Sequence, residues 1–155
     1  MDNLAQDNNN FEDPSQKLIL IIDDDTSILD LIEHAIKQQG FKVERAVDGN
    51  EALNKAQSLN PSLIILDFML PGLSGFEIIH QLQSGETANI PVLIITGRRM
   101  DPKNIQLIKQ EPNIREFIEK PIRVLMLTTA IHKILRTRPP ENLPRERGPM
   151  SGKGW

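Results

Sequence analysis

Cysteine is absent from the 155-residue chain. That excludes disulfides, thiolate zinc sites and a cysteine nucleophile, and it suits a reducing compartment. No apolar run approaches the ~20 residues needed to cross a bilayer. The opening stretch, MDNLAQDNNNFEDPSQ, has neither the basic start nor the apolar segment of a signal peptide. A cytoplasmic protein with no membrane partner is therefore expected. Basic excess is missing too. Lys and Arg number 18 against 21 Asp and Glu, a net charge of −3, so no nucleic-acid partner is expected. What remains is 39% apolar and 25% charged residues, in a length that suits one domain with a real core.

Both ends differ from the middle. Residues 1–16 carry four acids and no base, with an Asn run at 8–10, and read as a disordered polar leader. Residues 137–155 hold Pro-Pro, Gly-Pro and further glycines, and read as a disordered tail. From Lys133 to Trp155 there are six Lys/Arg and two Glu, so this end is locally basic. The expected domain is residues 17–136.

Within it, continuous apolar runs stand at LILII (18–22), LIIL (63–66) and VLII (92–95). None alternates with polar residues, as expected of parallel strands covered on both faces. FKVERA (41–46) and REFI (115–118) are weaker strand candidates. Helical spacing falls between the runs. Ile28, Leu31, Ile32, Ala35 and Ile36 predict a first helix, with Asp25 or Thr26 as its cap and Gly40 ending it. Ala52, Leu53 and Ala56 mark a second, stopped before Asn60-Pro61. Phe76, Ile78, Ile79 and Leu82 mark a third. Asp101-Pro102 starts a short fourth through Lys109, and Val124 to Leu135 form the fifth. Five β-α units predict an α/β fold: an open parallel sheet with helices on both faces and a site beyond the carboxyl ends of its strands.

Four of those ends are polar. Asp23 and Asp24 follow the first run, Asp67 the third, Thr96 the fourth and Lys120-Pro121 the fifth. Three carboxylates in one crevice repel one another, and a hard divalent cation with oxygen ligands neutralises them. Mg²⁺ fits best, because it takes one or two carboxylates and leaves positions for a phosphoryl group. Lys120 adds a fixed positive charge and Thr96 a hydroxyl donor, which together make a phosphoryl-transfer site. A carboxylate can itself attack, giving an aspartyl-phosphate. Asp67 is the central candidate, since Pro71 and Gly72 in the loop MLPGLSG bend the chain away from it. Asp23 and Asp24 then become ligands. Any one of these residues alone reads as a cap, a turn or nothing; the ordered set carries the inference.

The motifs ILIIDDD, LIILDFMLPGLSGFE, IITG and FIEKPI together resemble the receiver domain of two-component response regulators, the CheY-like family. The resemblance covers residues 17–136. It implies a flavodoxin-like doubly wound (βα)5 fold with strand order 2-1-3-4-5. It implies that Asp67 is the phosphoacceptor in a Mg²⁺-dependent reaction. Asp24 and Asp67 would touch the metal directly, Met69 through its backbone carbonyl, and Asp23 through water. Thr96 and Phe117 would be the switch pair, Lys120 the phosphoryl-pairing lysine with a cis bond to Pro121, and Gly97 the small residue that leaves room for a donor. The implied partners are a sensor histidine kinase or histidine phosphotransfer protein, and a downstream target at the face of the fourth helix, fifth strand and fifth helix. A monomer or weak dimer is expected, with no enzymatic turnover of an external substrate. Two departures stand out. GRRMDPKNIQLIKQEPNIREF lacks the family's Gly-Ala before the fifth strand, and Phe117 has no hydroxyl where Tyr is common. Met69 and Arg98 occupy positions that tune phosphoryl lifetime in the family.

Rival readings remain. A haloacid-dehalogenase-like phosphatase would use the first-strand aspartates in Asp23-Asp24-Asp25-Thr26-Ser27, but it leaves Asp67 unexplained and lacks an acidic pair after the lysine's strand. A receiver piece of a larger hybrid kinase is a further alternative, and so is a degenerate receiver that signals by contacts alone. A DNA-binding regulator would need a second domain, for which the tail is too short. His34, His80 and His132 fall in helical stretches without metal-ligand spacing and are expected to be ordinary surface or boundary residues.

Overall fold

The computed structural model describes residues 10–97 and 100–141. The leader's first nine residues, Arg98 and Arg99, and the tail beyond Glu141 lie outside them.

Five strands and five helices alternate as expected. They are β1 (Leu18–Ile22), α1 (Thr26–Gln38), β2 (Lys42–Ala46), α2 (Gly49–Leu59), β3 (Leu63–Asp67), α3 (Gly75–Leu82), β4 (Val92–Thr96), α4 (Pro102–Lys109), β5 (Ile114–Glu119) and α5 (Val124–Leu135). The strands form one parallel sheet in the order β2-β1-β3-β4-β5. This is the flavodoxin-like doubly wound arrangement.

The apolar runs do not alternate because both sheet faces are covered. Leu20, Ile22, Ile64, Leu66, Val92 and Ile94 point into one core with α2, α3 and Ile108 of α4. Their neighbours Ile19, Ile21, Leu63, Ile65, Leu93 and Ile95 point into the other, with α1 and α5. Side chains on a strand alternate in direction, so each residue of a central strand has a hydrophobic layer to enter. Truncating any of these leucines or isoleucines to Ala costs about 2–5 kcal/mol.

Local signals end the helices where expected. Asp25 caps α1, its side chain accepting from the N–H groups of Ser27 and Ile28, so the third aspartate of the DDD run serves the helix. Gly40 follows α1 at φ 95°, a conformation that a Cβ disfavours. Asn60 closes α2 at φ 46°. Asp101 caps α4 ahead of Pro102.

The leader's end is a finding that the sequence did not announce. Pro14–Gln16 form a single 3-10 turn capped by Asp13. Glu12 N–H donates to the Arg136 carbonyl at 2.9 Å, and Arg138 stacks on the Phe11 ring at 3.9 Å. Residues on both sides of the expected 17–136 boundary thus meet at the carboxyl end of α5.

His132 corrects the sequence reading, which took it for a surface or boundary residue. It is buried in α5, while His34 and His80 are exposed. Its Nε2 donates to Gln39 Oε1, the residue after α1, at 2.7 Å, because an amide oxygen can only accept. Nδ1 then accepts from the Thr137 hydroxyl at 2.7 Å. The spacing Thr128, His132 and Leu135 was the available signal, since it continues the buried side of α5. Burial holds His132 below its usual value of 6.5. Its stability contribution is therefore complete above pH 6.5 and is lost as pH falls through the lower folded value. Measured from pH 8 to 5, the urea midpoint of the wild type relative to His132→Gln will fall below pH 6.5.

Candidate functional site

The carboxyl edge of the sheet gathers the polar residues. Asp67 is the last residue of β3 and Asp23 directly follows β1, its N–H donating to the Ala46 carbonyl of β2 at 3.1 Å. Thr96 ends β4, next to β5. Its carbonyl accepts the Lys120 N–H at 2.8 Å, which ties the lysine's backbone to the sheet. The Lys120–Pro121 bond is cis. Ladder-type bonds thus carry the rigidity of the sheet into the site.

The loop after Asp67 folds under itself. Phe68 and Leu70 are buried, and between them Met69 turns outward, 68% exposed. Gly72 takes φ 85°, and Ser74 caps α3 by accepting the Glu77 N–H. A Cβ on Gly75 would lie 2.3 Å from the Phe68 ring, so only glycine permits the ring's position. Phe76 then meets Phe68 edge-on at 4.9 Å.

Both Asp67 oxygens are engaged. Oδ1 accepts the Met69 N–H at 3.0 Å, and Oδ2 pairs with Lys120 Nζ at 2.9 Å. Asp23 Oδ1 accepts the Asp25 N–H at 2.9 Å. Asp23 Oδ2, by contrast, is buried without a hydrogen-bond partner among the described residues. Asp23, Asp24 and Asp67 each offer an oxygen within 4.8 Å of the others. An all-carboxylate set with one orphaned buried oxygen suits a hard divalent cation such as Mg²⁺. Two of the three carboxylates are buried, and Asp24 is exposed at the mouth.

The electrostatics agree. Burial, more than any neighbour, pushes the Asp23 carboxyl up to about 6; the charge of Asp67 adds to this, against the Asp25 N–H bond and the Lys120 charge. Burial by itself would lower Lys120, but its hydrogen bond and charge pairing with Asp67, then Asp23 and Asp24, leave it raised.

The remaining expected residues lie around this cluster. Phe117 is half-buried on β5, opposite Ile94, and packs against the core that α4 joins; Lys109 Nζ lies 5.5 Å from its ring centroid. Lys109 was not singled out in the sequence, and only its approach across α4 marks it. A Cβ on Gly97 would meet nothing within 4 Å, so this rim of the site is open. Arg98 falls outside the described residues.

The chain matches the family model described as "Response regulator receiver domain" over residues 19–132. It is 34% identical over 120 residues to the alkaline phosphatase synthesis transcriptional regulatory protein PhoP of Bacillus subtilis, covering 77% of this chain and 49% of that protein. It is 37% identical over 119 residues to the DNA-binding dual master transcriptional regulator RpaA of Synechocystis, covering 76% and 48%. The chain thus spans about half the length of these curated relatives. Their names are those of transcriptional regulators, and they lend no support to the expectation of no nucleic-acid partner. Among solved structures, a CheY-like receiver domain protein from Methanospirillum hungatei superposes with a TM-score of 0.71 at 28% identity, covering 77% of this chain and 94% of that one. A receiver domain protein from Clostridium thermocellum gives 0.70 at 30%, covering 77% and 94%.

A raised acid stabilises the folded state below its unfolded value and loses that contribution as pH rises through its folded value. For Asp23 the window runs from 3.8 to about 6. In EDTA, the melting temperature of the wild type relative to Asp23→Asn will therefore fall between pH 4 and pH 7. Mg²⁺ at about ten times its Kd will restore a few degrees at pH 7.5 and little at pH 4.

Proposed function

The chain belongs to the response regulator receiver domain family, and on that premise we propose that it accepts a phosphoryl group from a phosphohistidine onto Asp67 and signals by the conformational change that follows. The observation that carries this reading is the 2.9 Å pair between Lys120 Nζ and Asp67 Oδ2, set beside two further carboxylates at the carboxyl edge of the sheet.

Asp23, Asp24 and Asp67 would hold Mg²⁺, with the Met69 carbonyl as the expected backbone ligand. When bound, Mg²⁺ supplies charge neutralisation at the carboxylates and at the phosphoryl oxygens. A carboxylate oxygen of Asp67 attacks phosphorus; a P–O bond forms and the donor's P–N bond breaks, leaving the imidazole with the electron pair. Lys120 pairs with the charge that gathers on the phosphoryl oxygens, and the Thr96 hydroxyl donates a hydrogen bond to one of them. The ladder bond from Lys120 N–H to the Thr96 carbonyl holds the backbones of these two residues together. Hydrolysis of the acyl phosphate resets Asp67. The orphaned Asp23 oxygen supports a ligand role for that residue, and the engagement of Lys120 with Asp67 supports the latter as acceptor.

The output follows from a two-state balance that the phosphoryl group biases. Thr96 moves toward the new oxygens and Phe117 follows, remodelling the face of α4, β5 and α5. Phe117 lacks a hydroxyl, so the movement is read through packing alone. The partners are a sensor histidine kinase or histidine phosphotransfer protein and a target at that face, in the cytoplasm. No described helix is long and apolar enough to cross a membrane.

Incubation with acetyl phosphate and Mg²⁺ will place acid-labile phosphate on the chain, and Asp67→Asn will abolish it. Lys120→Ala will slow incorporation by roughly 100-fold. If label persists in Asp67→Asn and disappears in Asp23→Asn, the phosphatase-type nucleophile on β1 is correct instead.

A further inference from the structure

At the end of the sheet opposite the carboxylates lies a groove of about 510 Å³. Lys17 precedes β1 where Asp23 follows it, so the two edges stand roughly 17 Å apart along five extended residues. Four cations line the groove: Lys17, Arg115 at the start of β5, and Lys133 and Arg136 at the end of α5. Two carboxylates, Glu12 and Glu116, interrupt them, which leaves an excess of two positive charges. Ile134 and Leu135 contribute an apolar floor.

Three of the four cations are not consumed internally among the described residues. Lys17 pairs with Glu12 at 2.8 Å. Arg115, Lys133 and Arg136 are exposed and make no ion pair among the described residues. Their backbones are nevertheless held. Arg136 adopts φ 56° as the cap of α5, its carbonyl accepts the Glu12 N–H, and the next residue, Thr137, is buried against His132. Lys133 stands one turn earlier on α5, and Arg115 sits in a sheet strand. A cluster placed on fixed backbone loses less entropy when it binds.

We propose that this groove docks an acidic segment of a partner polypeptide. The occupant must be anionic to answer the unpaired cations. It must also accept Glu12 and Glu116 beside them and an apolar floor beneath, which a uniformly charged phosphate backbone does not. A chain alternating acidic and aliphatic side chains meets all three conditions. The groove abuts α5 and β5, and its role as a docking site for the downstream partner rests on the signalling reading above.

A labelled peptide of alternating glutamate and leucine, titrated into the full chain, will shift the amide resonances of Lys17, Arg115, Lys133 and Arg136. Its affinity will fall steeply as salt is raised. Lys133→Glu alone will weaken binding by roughly tenfold, and Arg115→Glu with Lys133→Glu by more. Both variants alter exposed side chains, and their phosphate incorporation from acetyl phosphate will match the wild type. Shifts that map elsewhere, an affinity unchanged by charge reversal, or tighter binding of mixed-sequence duplex DNA in the same groove would each overturn the proposal. Loss of phosphate incorporation in the wild type would instead sink the signalling reading and leave the docking result standing.

Discussion

Electrostatic repulsion among carboxylates is the constraint around which the molecule is arranged. Asp23, Asp24 and Asp67 stand together with one paired cation among the described residues, Lys120, so these four groups leave two negative charges in excess. Two of the three carboxylates are buried, where water cannot offset the cost. Asp23 shows that cost most plainly: burial first, with the charge of Asp67 adding to it, raises its carboxyl to about 6, and one of its oxygens finds no partner among the described residues. Lys120 pairs directly with Asp67, and its charge offsets only part of the cost at Asp23. A divalent cation is the simplest chemical answer to what remains, and a phosphoryl group on Asp67 changes the same balance again.

Such a pocket persists only if the scaffold is stiff. Two hydrophobic layers clamp the three central strands, and each strand carries its polar residue just where the clamp ends. Backbone bonds extend the ladder one residue further, from Asp23 to Ala46 and from Lys120 to Thr96. The functional groups therefore stand on sheet ends, where positions are held more tightly than on free loops. The loop after Asp67 shows the same economy. Phe68 anchors against a glycine that cannot be larger, and Met69 is turned out to the rim.

The opposite edge carries the opposite sign. Lys17 and the cations of β5 and α5 collect there, beside a clasp in which Glu12, Arg136, Thr137, His132 and Gln39 tie the ends of the domain to α1. The clasp lies outside the repeating β-α units and is built partly from residues that look like disordered tail in composition. The two curated relatives named above are about twice the matched length. The direction in which the chain leaves α5 therefore bears on any longer protein of this kind.

The sequence by itself determined the order of elements, the parallel sheet and the residues at its carboxyl edge. Unbroken apolar runs leave no face for water, and each polar stop marks a strand end. The bounds of α4 and α5 were legible to the residue, because Asp101-Pro102 and the apolar spacing from Val124 to Leu135 are local signals. Asp25 could be narrowed to one of two candidate caps, since a cap works through its own next turn. Only the tertiary structure decided which oxygen Lys120 pairs with, which oxygen of Asp23 is left over, and that Lys109 approaches Phe117. It also decided that His132 is buried between Gln39 and Thr137, and that Lys17, Arg115 and Arg136 share one groove. These are contacts across long stretches of chain. Periodicity says which side of a helix is apolar, but not which neighbour that side meets.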